Sequence, residues 1–158
     1  MEPKQQNTPL NILLADDDAD DCLFFKAAVD EFPLFTNLTT VHDGEQLMKQ
    51  LTNETNELPH IIFLDLNMPR KNGFECLEEI KLNNKLKQLP IIIFSTSFEQ
   101  EVVNMLYKNG AQHFIRKPSD FLQFKKIIQQ SLTLAAQGNI SQPTKEKFVL
   151  TIQNSLII

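Results

Sequence analysis

Five of the nine aspartates fall between Asp16 and Asp21, in the run Asp16-Asp17-Asp18-Ala19-Asp20-Asp21. Another, Asp65, follows the apolar run Ile61 to Leu64, and Lys117 follows His113 to Ile115 within Arg116-Lys117-Pro118. The hydroxyls of Ser95, Thr96 and Ser97 follow Ile91 to Phe94. Carboxylates crowded within a few ångströms repel, so either some protonate or a cation holds them. A hard divalent ion such as Mg²⁺ suits such a cluster, because it takes a few carboxylate or carbonyl oxygens and keeps waters that a phosphate can replace. With Asp16, Asp17 and Asp65 at one rim and Lys117 opposite, Asp65 becomes a nucleophile toward a phosphoryl group. The metal and the ammonium then neutralise charge on the transferring oxygens.

What could bring these residues together is an alternation of strands and helices. The short runs Ile12 to Ala15, Leu38 to Val41, Ile61 to Leu64, Ile91 to Phe94 and His113 to Ile115 suit buried parallel strands. Between them, Phe74, Leu77 and Ile80 share a helical face, as do Val102 or Val103 with Leu106. Phe121, Phe124, Ile128, Leu132 and Ala135 form a longer stripe, and Leu47 with Leu51 marks a shorter helix after Asp43. Asp18 or Ala19 opens the first helix, with Asp20 and Asp21 favouring its dipole, and Gly110 is a helix stop at positive φ. Five such pairs predict an α/β sandwich, a doubly wound (βα)5 fold around a five-stranded parallel sheet. In such sheets ligands sit beyond the carboxyl ends of the strands, where the winding switches direction. If the order is the flavodoxin-like 2-1-3-4-5, the first and third strands are neighbours, and Asp16, Asp17 and Asp65 share one rim.

Composition narrows the partners. Fifteen Lys and Arg against twenty Asp and Glu leave a net charge of −5, without the basic stripe that nucleic acid or an anionic membrane requires. Gly44, Gly73, Gly110 and Gly138 are too scattered for a Walker or dinucleotide loop. Cys22 and Cys76 have no C-x-x-C or zinc spacing and read as buried free thiols. No apolar run approaches the length of a membrane span, and Met1 to Pro9 lacks the apolar core of a signal peptide, so a cytoplasmic location is expected. The 158 residues suggest a polar, flexible stretch over 1–9, one domain over 10–136, and a linker with an apolar tail over 137–158, leaving no room for a second output domain. Phe148, Leu150 and Ile152 alternate as in a strand, whereas Val149, Ile152, Leu156 and Ile157 fit a helical face. Such a tail packs on its own domain or on a second subunit, giving a homodimer.

Four motifs occur in order at strand ends: Ile12-Leu-Leu-Ala-Asp-Asp-Asp, Phe63-Leu-Asp-Leu-Asn-Met-Pro with Gly73, Ile93-Phe-Ser-Thr-Ser, and Ile115-Arg-Lys-Pro. Together they make the chain, from about Asn11 to Ala136, resemble a response-regulator receiver domain of two-component signalling, related to the chemotaxis regulator. The acidic run further resembles stand-alone regulators paired with bacterial phytochromes. The resemblance implies the strand order 2-1-3-4-5, Asp65 as phosphoacceptor, and Mg²⁺ on Asp16, Asp17, Asp65 and the main-chain carbonyl of Asn67. It implies that Lys117 pairs with the phosphoryl oxygens and that Ser95 donates its hydroxyl to one of them. The switch runs from Ser95 to Phe114, where many relatives carry tyrosine, and the Lys117–Pro118 bond is commonly cis. The implied donor is a histidine kinase or a phosphotransfer protein, and the implied output is binding to another protein, with no enzymatic activity beyond phosphorylation and dephosphorylation of Asp65.

Rival readings fail on particular residues. An EF-hand needs Gly at the sixth position of its loop, where Asp21 stands, and an acid at the twelfth, where Ala27 stands. A Mg²⁺-dependent phosphohydrolase with an aspartyl nucleophile wants a proton donor two residues on, and neutral Asn67 cannot serve. A flavin carrier of the same fold would meet three aspartates at its phosphate loop. A degenerate docking module, with the fold but without the chemistry, stays open. His42, His60 and His113 share no partner segment and read as structural.

Overall fold

The apolar runs become strands β1 (Leu10–Ala15), β2 (Thr36–Val41), β3 (Ile61–Leu64), β4 (Ile91–Ser95) and β5 (His113–Arg116). The helices after them are α1 (Ala19–Asp30), α2 (Gly44–Thr52), α3 (Gly73–Leu82), α4 (Gln100–Lys108) and α5 (Phe121–Ala136). The computed structural model describes residues 8–138 and 141–152. Its single sheet is parallel and runs β2-β1-β3-β4-β5, the order the resemblance implied. Residues 1–7 of the expected flexible stretch lie outside the described residues, as do 153–158, which include the Leu156 and Ile157 of the helical alternative.

Two strands start earlier than their apolar runs. β1 and β2 pair from Leu10↔Thr36 through Ala15↔Val41, because a sheet edge takes polar Thr36 and Asn37 into its ladder without burying their side chains. At the other end Ser95 pairs with Arg116, so β4 and β5 each run one residue further. Successive strand residues point to opposite faces, which divides the core in two. Leu13, Ala15, Ile62, Leu64, Ile91 and Ile93 meet Leu47, Leu51, Leu77, Ile80, Val103 and Leu106 of α2, α3 and α4. Ile12, Leu14, Phe63, Ile92 and Phe94 meet Phe25, Val29, Phe124, Ile128 and Leu132 of α1 and α5. On that second face Phe63 stands edge-on to Phe25 at 4.8 Å, and Phe94 to Phe124 at 5.3 Å, geometries that add to area burial.

Helix starts are set by side-chain caps. Asp18, Asp43 and Asp120 accept from Asp21, Gln46 and Leu122 main-chain N–H groups, and Asn72 forms a reciprocal capping box with Glu75. Gly110 has the expected positive φ, 97°, after α4. Gly73 opens α3 where space is lacking: a Cβ there would press on the main-chain oxygen of Asp65 and lie 2.8 Å from Leu66 Cα. The described residues contain no cis peptide, so Lys117–Pro118 is trans, correcting the family-based expectation and matching the isomer that X–Pro bonds favour by roughly 0.5–1 kcal/mol.

The described part of the tail lies against β5. After a 3₁₀ turn at Lys145–Lys147, Phe148 is buried to 1 % exposure with its ring 5.1 Å from Tyr107. Phe114 N–H donates to Phe148 O at 3.0 Å, Leu150 N–H donates to Phe114 O at 2.9 Å, and Val149 bridges Phe114 in parallel. Tyr107 donates to Pro143 O, and Gln142 donates to Tyr107 O and Ala111 O. These contacts favour the strand-like of the two periodicities.

Candidate functional site

β1 is where the winding reverses, with β2 on one side and β3 on the other, so a crevice opens at its carboxyl end. Asp16 and Asp65 are the first residues beyond β1 and β3, and the ladder continues through both: Asp16 N–H donates to Val41 O and Asp65 N–H to Ala15 O, each at 3.0 Å. Continuation of the sheet therefore aims two acids at one point. Asp16 is fully buried and Asp65 is 5 % exposed, while Asp17 is exposed. One carboxylate oxygen from each of Asp16, Asp17 and Asp65 lies within 4.8 Å of the others. Hard oxygens at that spacing fit a divalent cation.

Lys117 enters from the far side. Its N–H donates to Ser95 O at 2.8 Å, which carries β5 past its last paired residue, and its side chain is 5 % exposed. Nζ donates to Asp16 Oδ2 at 2.9 Å and to Asp21 Oδ2 at 2.8 Å, and stands 3.7 Å from Asp65 Oδ2. The ring of Phe94 lies 5.0 Å away, a further favourable contact for the cation. Ser95 closes β4 fully buried, its Oγ accepting from Ser97 N–H at 3.3 Å. Asn67 N–H reaches Asp65 Oδ1 at 3.4 Å. Phe114 lies in mid β5, 1 % exposed and edge-on to Phe98 at 5.7 Å.

Burial drives the electrostatics. Desolvation pushes Asp65 up to about 7, with Lys117 opposing and Asp16 reinforcing the rise. Asp16 is raised for the same reason, against the Asp18 N–H and Lys117 that stabilise its charge. For Lys117 burial favours the neutral amine, but hydrogen bonds to Asp21 and Asp16 and the charges around it prevail, so its pKa lies above the ordinary value. The site thus keeps a firmly charged ammonium beside carboxylates for which negative charge is costly, and a divalent cation would relieve that cost.

Asp16, Asp17, Asp65 and Lys117 are brought together, with Ser95 and Asn67 on adjoining strand ends. The sequence marks Asp21 only as a dipole partner of α1, and its ion pair with Lys117 appears only in the fold. Its signal was weak: an acid in the first helical turn is ordinary at any N-terminus. His42 Nδ1 approaches Asp16 O at 3.2 Å, His60 Nδ1 accepts from Asn11 N–H, and buried His113 contacts Phe148 O, so the three histidines remain apart. Cys22 and Cys76 are free, one half-buried and one buried, and burial pushes their thiols up to about 11 and about 12, away from the thiolate form.

Residues 12–129 match the family described as the response regulator receiver domain. Response regulator Rcp1 of Synechocystis sp. is 30% identical over 129 residues, spanning 79% of this chain and 88% of that protein. The probable chemotaxis protein CheY of Rhizobium etli is 27% identical over 120 residues, spanning 76% and 90%. Among solved structures, the phosphorylated cyanobacterial phytochrome response regulator RcpA superposes with a TM-score of 0.78 at 26% identity, covering 87% of this chain and all of that one. The Mn²⁺-bound form of Rcp1 gives 0.76 at 27% identity, over 86% of this chain and all of that one.

Proposed function

The chain belongs to the response-regulator receiver domain family of two-component signalling, and from that premise we propose that Asp65 accepts a phosphoryl group from a histidine kinase or a phosphotransfer protein. One observation carries the reading: Asp16, Asp17 and Asp65 offer oxygens within 4.8 Å of one another, with the Lys117 ammonium 3.7 Å from Asp65. An Asp65 oxygen attacks the phosphorus of the donor phosphohistidine; the new P–O bond forms as the P–N bond breaks, and the imidazole leaves with a proton from solvent. Lys117 lends positive charge to the phosphoryl oxygens, and the Ser95 hydroxyl donates to one of them. Mg²⁺, when bound by Asp16, Asp17, Asp65 and the Asn67 main-chain carbonyl, supplies further charge neutralisation at the same oxygens. That Rcp1 has a Mn²⁺-bound form supports this choice of ion class.

On phosphorylation the Ser95 hydroxyl is drawn inward and Phe114, already 1 % exposed, repacks behind it, altering the surface of α4, β5 and α5 for a partner protein. Phe114 packs but has no hydroxyl to offer that partner. Residues 10–136 form the receiver and 137–158 an appended segment, acting in the cytoplasm as a regulator of the phytochrome-associated kind. The RcpA likeness supports that assignment. No helix among the described residues is long and apolar enough to cross a membrane.

Incubation with Mg²⁺ and acetyl phosphate, read by intact mass, tests the proposal. One phosphoryl gain is expected, absent in Asp65→Asn. A gain that persists in the variant moves the acceptor elsewhere, and no gain from any donor makes the chain a docking module without the chemistry.

A further inference from the structure

Lys117 has three ammonium protons, and two are committed at hydrogen-bond distance to Asp16 and Asp21, while Asp65 lies beyond it at 3.7 Å. The two partners differ. Asp16 belongs to the carboxylate group that fits a cation, with its other oxygen taken by Asp18 N–H at 3.0 Å. Asp21 lies outside that group. Its main chain is pinned in the first turn of α1, because its N–H donates to the capping Asp18 at 3.0 Å and α1 is held to the sheet through Phe25, Ala28 and Val29. Its carboxylate is 20 % exposed, part-buried enough for a charge pair to keep strength that water would screen.

We propose that Asp21 is a positioning residue for phosphoryl transfer: it holds the Lys117 ammonium on the α1 side of the site and competes with the phosphoryl group on Asp65 for it. The inference rests on Asp65 being the acceptor. Each phosphorylation must draw the ammonium toward Asp65 from a carboxylate whose anchorage keeps it from following. Asp21 therefore lowers the stability of the phosphorylated state relative to the resting one, and shortens the time the signal persists. This role differs from that of a negative charge that merely repels the donor, since it acts through one contact and not through the field of the acidic run.

The experiment measures the steady-state ratio of phosphorylated to unphosphorylated chain, by intact mass, at a Mg²⁺ and acetyl phosphate level that leaves the wild type partly converted. Asp21→Asn removes the charge and keeps the shape; the ratio should rise roughly five-fold, the equilibrium equivalent of one partly exposed ion pair. Asp21→Glu restores a carboxylate and should return the ratio toward wild type. Asp20→Asn deletes the same charge from the same turn and should leave the ratio within about two-fold, as expected of a solvated charge. Without metal or donor, the ¹⁵N shift of the Lys117 ammonium should move in Asp21→Asn and not in Asp20→Asn. An unchanged ratio in Asp21→Asn, an equal rise in Asp20→Asn, or an unmoved Lys117 resonance overturns the inference while leaving Asp65 as acceptor. Failure of the wild type to gain a phosphoryl group on Asp65 overturns both.

Discussion

Replacing Asp65 by asparagine should stabilise the metal-free protein, and by an amount that depends on pH. Burial raises the Asp65 carboxyl from 3.8 to about 7, so between those values the folded chain holds a proton that the unfolded chain releases. The sign follows directly: stability is full below the unfolded value and is lost as pH rises through the folded one, with a complete cost of roughly 4 kcal/mol. Near pH 5 the folded carboxyl is still protonated and resembles the amide; near pH 8 it is ionised inside a site that disfavours the charge, so the advantage of asparagine grows by roughly 2–3 kcal/mol between the two. In a chain of this length that is a widening of about 5–10 °C in melting temperature. The assay is thermal unfolding of both proteins in a chelating buffer at the two pH values. Added Mg²⁺ should then narrow the gap at the higher pH by stabilising the wild type, through linkage of binding to the folded state. Melting curves separated equally at both pH values would refute the reasoning, since they would show that burial does not penalise ionised Asp65.

Two other substitutions probe the frame around the site. Phe148→Ala removes a ring that is 1 % exposed and should lower unfolding free energy by about 3–5 kcal/mol in urea titration, whereas a tail that only skirts the surface would give less than about 1 kcal/mol. Gly73→Ala places a methyl group against the main chain of Asp65 and Leu66, so the Asp65 strand end must shift; calorimetry should show Mg²⁺ affinity reduced about ten-fold or more, the scale of disturbing a group that holds a metal ligand in place.

Much of this was legible from short-range pattern. β1, β3 and β4 announced themselves because their runs are apolar on both faces, and the first two helix starts because Asp18 and Asp43 are cap residues. The acids of the site were legible because each stands at the end of such a run. Contacts set by tertiary packing were not. The first half of β2 carries Thr36 and Asn37, whose polarity hides a strand that its partner specifies. The Lys117–Asp21 pair joins positions 96 apart, and no local period encodes it. Gly73 reveals its purpose only once Asp65 and Leu66 are seen against it. The tail satisfied two periods at once, and pairing with Phe114 favours one.

The two rims of the sheet are guarded by different means. β2 turns Asn37 and Thr39 to water, so a neighbouring chain that added itself there would have to strip polar side chains of solvent. β5 carries buried His113, Phe114 and Ile115 and would be a sticky template if left bare, yet the amide and carbonyl of Phe114 are already taken up by Phe148 and Leu150. The C-terminal segment thus sheathes the more dangerous rim, and clipping it off should expose the protein to strand-by-strand aggregation before it costs the acidic crevice anything.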